Sequence, residues 1–289
     1  MVTRRRLLLG GGSLGMMGAG AALGVPSLRH RLRDALDPVA EPPHPVPTGP
    51  VGEVVSGSFR SAAMGTTTGW SLAHPHGVRP GTALPLLLVL HGRGNSHQDV
   101  LGSHRLGAFL AETVRSGVPP FAVAGVDGGD HSYWHARSSG EDPQRMILDE
   151  LLPLLGRRGL RTDRLALGGW SMGGYGALLL APRLGRSRVA ALAVDSPALW
   201  SRWKDSAAGA FDGPADFAAH DVLAATAALA GIPVRVSCGT SDPFLPGVEA
   251  LLRALPACGR DLGPGAHTLG WWQHAAPAQL AFVGHALAT

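Results

Sequence analysis

The sequence predicts an α/β fold, a mostly parallel central sheet with helices on both faces, and three observations carry that reading. Short continuous apolar runs recur: "ALPLLLVLHG" (83–92), "PFAVAGVDG" (120–128), "DRLALGGWS" (163–171), "RVAALAVDS" (188–196) and "IPVRVSCG" (232–239). Each reads as a strand buried on both faces. Longer stretches with helical spacing lie between them, among them "VLGSHRLGAFLAETVRSG", "DPQRMILDELLPLLGRRG" and "SMGGYGALLLAPRLG", each ending at Gly. Strand alternating with helix implies a three-layer parallel arrangement. Before Ala83 the texture changes, because "EVVSGSFRSAAMG" and "TTTGWSLAHPHG" are rich in β-branched residues and punctuated by Gly. They predict a leading antiparallel pair.

Taking the chain in order, the first 33 residues hold six arginines (Arg4, Arg5, Arg6, Arg29, Arg31, Arg33) and no acidic residue. "TRRRLLLGGGSLGMMGAGAALG" has the charged start, diluted apolar run and small residues of an export signal, with the paired arginines of the twin-arginine type. Residues 1–28 are therefore expected to be that signal, with an uncleaved membrane anchor as the alternative, since the uncharged stretch from Leu7 to Leu28 could span a bilayer. Residues 29–50 are expected to be a linker, basic and then Pro-rich: "DPVAEPPHPVPTGP" (37–50) has proline at six of fourteen positions and can be neither helix nor inner strand. The catalytic domain is expected over 51–289.

With 45% hydrophobic and 16% charged side chains in 289 residues, the chain can bury one substantial core. Setting the six N-terminal arginines aside leaves 19 basic against 21 acidic groups. The body thus has no electrostatic case for binding nucleic acid. Cys238 closes a strand and Cys258 follows the helix-like "GVEALLRALPA", which tends to place them at opposite ends of the layer and argues against a disulfide. Residues 197–230 form the longest stretch without a strand, which suggests a small helical cap.

The stretch "LGGWSMGGYGALLLA" (167–181) concentrates the chemistry. Gly169, Trp170, Ser171, Met172 and Gly173 have the Gly-x-Ser-x-Gly spacing, set where a strand must reverse sharply into a helix. Glycines two before and two after let strand and helix pass without a β-carbon clash, and the turn exposes the hydroxyl at a helix N-terminus, which favours developing negative charge. Ser171 is the expected nucleophile. Its base should come late in the chain, where His267, His274 and His285 are the candidates. His267 follows the loop "GPGA", whereas the other two sit in the helix-like "WWQHAAPAQLAFVGHAL". For the orienting acid, Asp242 in "GTSDPF" and Asp195 in "VDSP" both end strands, and the later strand is the commoner source. The amides of Arg93, in the "HGRG" loop, and of Met172 are the expected oxyanion donors, with His91 a brace for that loop. Trp134 and Trp170 are candidate substrate contacts, with Tyr133, Trp200 and Trp203 also near the expected mouth.

The set "HGRG", "DGGDHSYWH", "GWSMGGYGALLLA", "CGTSDPF" and "GAHTLGWW" resembles the esterase branch of the α/β-hydrolases, which holds S-formylglutathione hydrolases of the esterase D type and mycolyltransferases. The resemblance spans roughly residues 53–285. It implies an α/β-hydrolase fold and a serine esterase working through an acyl-enzyme, with a mycolyltransferase-like acyltransferase and a non-catalytic binding protein as alternatives. It also implies a Gly-x-His segment with Trp five residues on, which Trp272 matches and which favours His267. Two departures stand: the length between Cys258 and His267 leaves room for only a short final strand, and Leu269 occupies the position of a common family Trp. No HExxH, CxxC or carboxylate-rich ion loop appears, and "HPH" at 74–76 lacks further ligands. Neither a metal nor an organic cofactor is expected, and the partner is expected to be a small-molecule, lipid or sugar ester.

Overall fold

The computed structural model describes residues 41–289 except His44 and Pro80. The expected signal and the linker up to residue 40 lie outside the described residues. Eight strands form one sheet: β1 (Val54–Arg60), β2 (Thr67–Ala73), β3 (Pro85–Leu90), β4 (Ala122–Val126), β5 (Arg161–Trp170), β6 (Val189–Asp195), β7 (Val234–Gly239) and β8 (Gly259–Gly263). Their spatial order is β1-β2-β4-β3-β5-β6-β7-β8. β2 pairs antiparallel with β1 and with β4, and every other pairing is parallel. The predicted leading pair and parallel body are both present.

Burial explains the strand textures. Every residue of β3 and of β4 is buried, as a strand covered on both faces requires, while β1 at the edge alternates between exposed and half-buried. One face of the sheet carries α3 (residues 143–157), α4 (Met172–Leu184), α5 (Pro214–Ala219) and α6 (Leu245–Ala254). The other carries α1 (His97–Leu101), α2 (Leu106–Arg115) and α7 (Leu269–Ala288). Helix α3 opens with Pro143 behind the Asp142 cap and loosens into a π-helical turn over Met146–Leu151. That turn aims Glu150 at the β1–β2 connection, where its carboxylate accepts from the amides of Ala62 and Ala63.

Three expectations are corrected. The helical run 100–117 is two helices, because Arg105 takes a left-handed conformation (φ 57°) that breaks it and Ser96 starts α1 with a capping box. Residues 197–230 are helical only in part: among the described residues they hold the six-residue α5 and two short 3-10 turns, Trp203–Asp205 and Thr226–Leu229, joined by irregular chain. The described part of the Pro-rich segment, residues 41–50 without His44, has no regular structure, yet it is not detached from the body before Val51. Thr268 Oγ1 donates to the Glu41 carboxylate, and Val46 packs with the cluster between the sheet and α7. Cys238 and Cys258 are buried and free, and burial pushes the Cys258 thiol up to about 11.

Candidate active site

Ser171 sits between β5 and α4 at φ 55°, ψ −120°, a strained conformation for a residue with a side chain. Its neighbours make the turn sterically feasible. A β-carbon on Gly173 would lie 1.9 Å from the Leu90 carbonyl oxygen, and one on Gly169 would lie 2.6 Å from Gly173. The backbone of Ser171 is pinned from both sides, its amide donating to Asp195 O at 2.9 Å and its carbonyl accepting from Ala198 N at 3.0 Å. The backbone that carries the hydroxyl is therefore fixed by main-chain bonds.

His267 and Asp242 arrive on two loops that are fastened together. Thr240 N and Ser241 N donate to the carbonyls of Gly263 and Gly265, each at 2.8 Å, and Gly239 lies so close that a β-carbon there would be 2.3 Å from Gly265 O. This brings His267 Nδ1 to 2.8 Å from Asp242 Oδ2 and His267 Nε2 to 2.9 Å from Ser171 Oγ. The second oxygen of Asp242 accepts from Phe244 N at 2.8 Å, and its side chain is fully buried. An acceptor-only carboxylate on Nδ1 fixes the imidazole with Nδ1–H donating and Nε2 free to take a proton from the serine. Phe244 and Trp272 set the edges of the site, each in an edge-on contact with the His267 ring at 5.1 and 5.0 Å.

The expected oxyanion loop follows β3, next to β5. His91 braces it: the Gly128 amide donates to His91 Nε2 at 3.0 Å, so Nδ1 carries the proton and donates to Gly92 O at 2.8 Å. Burial lowers its pKa, which keeps that ring neutral. Arg93 stands exposed in the turn and Met172 opens α4 directly after the serine. Neither amide is bonded to another backbone group among the described residues. The arrangement of acid, imidazole and hydroxyl can activate a serine for attack on a carbonyl carbon.

The Esterase family model, described as "Putative esterase", matches residues 61–256. The chain belongs to the Esterase family. No curated protein sequence matches it. Among solved structures it is similar to a ferulic acid esterase, with TM-score 0.71 and 18% identity over 82% of this chain and 100% of that one. It is also similar to an S-formylglutathione hydrolase from Agrobacterium tumefaciens (TM-score 0.69, 17% identity, 83% of this chain and 97% of that one). A third is the fluorophosphonate-binding serine hydrolase F of Staphylococcus aureus (TM-score 0.66, 19% identity, 81% and 99%). These likenesses establish the α/β-hydrolase fold, and family membership sets ester hydrolysis as the class of chemistry.

Two expected substrate contacts of this Esterase-family chain are elsewhere. Trp134 is completely buried, wedged against Gly128 and Gly176 with its indole N–H donating to His91 O at 3.1 Å. Trp170 is 2% exposed, turned to the α2/α7 face, where it stacks on His104 at 3.6 Å and donates to Asn95 Oδ1. Trp134 offers no surface to a ligand, and Trp170 is almost fully buried and borders only the small cavity beside Asp195. The half-buried aromatics beside His267 are Phe244 and Trp272, and Trp200 reaches Phe244 at 5.4 Å. Phe244 was legible only as a neighbour of Asp242. Asp195 ends β6 beside a small cavity of about 40 Å³ lined by His104, Trp170, Trp272 and Gln279, and Gln279 Nε2 donates to its carboxylate at 2.7 Å. Burial raises its pKa from 3.8 to about 7. His274 lies against the Pro43 carbonyl at 3.4 Å and His285 is exposed on α7. Away from Ser171, His135, Asp216 and His220 are grouped closely enough to hold a metal ion.

Proposed function

We propose that this protein is a serine esterase that hydrolyses carboxylic esters through an acyl-enzyme on Ser171. The observation that carries the reading is the unbroken line from Asp242 through His267 to Ser171, at 2.8 and 2.9 Å, on a family-assigned esterase scaffold. Ser171 Oγ attacks the ester carbonyl carbon while its proton passes to His267 Nε2. The oxyanion is held by the Arg93 and Met172 amides, and Asp242 stabilises the imidazolium that forms. Collapse breaks the ester C–O bond, and the leaving alcohol takes the proton from His267. Water, deprotonated by the same imidazole, then releases the acid.

A fluorophosphonate probe tests this, because its phosphorus centre resembles the tetrahedral intermediate and reacts only with an activated hydroxyl. One label per chain on Ser171 is expected, abolished by Ser171→Ala, slowed by orders of magnitude in His267→Ala and unaffected in His274→Ala. An intact protein that resists the probe overturns the reading. Product analysis with excess glycerol separates hydrolysis from acyl transfer, since the two differ only in what attacks the acyl-enzyme. Export is part of the same proposal, supported by Arg4, Arg5 and the uncharged run that follows. Replacing both arginines by lysine is expected to retain the protein in the cytoplasm, and unchanged export of that double variant would count against it.

A further inference from the structure

A second group of titratable side chains lies where the irregular segment after β6 meets the loop after β4. His135, Asp216 and His220 each bring a donor atom to within 4.8 Å of the others. Asp216 Oδ1 is 2.9 Å from His220 Nδ1 and 3.8 Å from His135 Nδ1, and the two rings stack at 4.3 Å. Hydrogen-bond accounting leaves one lone pair of His135 misdirected. Its ring is 1% exposed, with Nε2 at 3.1 Å from Ala210 O and Nδ1 at 3.0 Å from Ala136 O. Carbonyl oxygens only accept, and a neutral imidazole has a single N–H. One ring nitrogen therefore faces an oxygen with nothing to donate. Protonating both nitrogens would satisfy the carbonyls but would place a cation in a desolvated position against a second histidine.

A metal ion removes the conflict. With Nε2–H donating to Ala210, the Nδ1 lone pair that now faces Ala136 O would turn to a cation shared with Asp216 and with His220, whose Nδ1 lies 2.9 Å from the Asp216 carbonyl oxygen as well as from its carboxylate; a backbone carbonyl on the far ring nitrogen is the usual device for orienting a ligating histidine. We propose that His135, Asp216 and His220 form a binding site for a zinc-type divalent ion. Two imidazoles and a carboxylate suit zinc, whose bonds of about 2.0–2.2 Å put tetrahedral donors roughly 3.3 Å apart. The 2.9 and 3.8 Å separations bracket that spacing. The Asp216 and His220 side chains are 18% and 25% exposed, which leaves an open side for water as a fourth ligand. The bound ion would fasten α5 to the β4–α3 loop. His135 stacks on Phe211, Phe211 meets Trp200, and Trp200 meets Phe244 beside His267, so the ion would brace one wall of the mouth without touching the reacting atoms.

The test uses the full chain, stripped with a chelator and dialysed against Zn²⁺ alone. One zinc per chain is expected, and Co²⁺ in its place should give the visible bands of a tetrahedral site. His220→Gln and Asp216→Asn, both at partly exposed positions, should each weaken Zn²⁺ binding at least about tenfold. His131→Gln, an exposed histidine outside the group, should not. Circular dichroism without metal checks that each variant is folded, and Ser171 labelling is read in parallel so that loss of the esterase reading is seen separately. Failure to retain zinc, retention unchanged in both ligand variants, or a cobalt spectrum of the hydrated ion would each overturn the proposal.

Discussion

Asp195 ends β6 and Asp242 lies in the loop after the adjacent β7, and their surroundings separate their roles more than their positions in the chain do. Asp242 has an imidazole on one oxygen and an amide on the other, whereas Asp195 has the Gln279 amide and a small cavity. Asp242→Asn is expected to cut turnover by about 10⁴, because the imidazole would take the wrong tautomer, while Asp195→Asn is expected to be mild in steady-state ester hydrolysis. Asp195 has a separate signature in stability. Its folded pKa of about 7 lies above its ordinary 3.8, so the folded state holds a proton that the unfolded chain has lost. Its favourable contribution is complete below 3.8 and is lost as pH rises to about 7. Melting temperature measured from pH 4 to 8 should show this decline in the wild type and a flatter profile in Asp195→Asn, which should be the more stable above pH 7 by a few degrees. A profile unchanged by the substitution would refute it. At this scale the sequence was most legible where spacing encodes a backbone constraint, as at Ser171. Trp134 misled because nothing local tells an indole at a mouth from one wedged between Gly128 and Gly176, an arrangement made only in the tertiary fold.

At the scale of elements, the crossing of β5 and α4 depends on missing side chains more than on contacts. Gly173→Ala is expected to destabilise the protein by about 3 kcal/mol or more, since its methyl would have to displace the β3 main chain at Leu90 rather than a flexible side chain. Gly213→Ala, with nothing within 4 Å, should stay within about 0.5 kcal/mol. Urea denaturation of the two variants checks the contrast, and equal costs would defeat the steric account. The parallel strands were readable because burial on both faces leaves unbroken apolar runs. The division of α1 from α2 was not, because the apolar pattern continues through a left-handed Arg105. Short β8 was expected from chain length alone: "GRDLG" alternates half-buried and exposed at the open edge and carries no apolar run.

Across the whole molecule, two cores separated by the sheet hold the site from opposite sides. The Ser171 helix belongs to one and the Trp170, Trp272 and α7 layer to the other, while the Asp242 and His267 loops are joined over the end of the sheet. That layering could be inferred from strand and helix order, but the seating of Glu41, Pro43 and Val46 against α7 and its cap could not, since six prolines in fourteen positions say only what the segment does not form. The seating has a practical consequence for orientation. The described chain begins with Glu41 bonded to Thr268, the residue after His267, whereas its other end, Thr289, closes a 20-residue helix and lies about 30 Å away along that axis. A support coupled at residue 41 would turn the mouth toward the solid, and one coupled at residue 289 would leave it facing the liquid. Enzyme immobilised at residue 289 should therefore attack esters on bulky particles faster than enzyme immobilised at residue 41, with small soluble esters showing little difference; equal rates on particles in both formats would contradict this geometry.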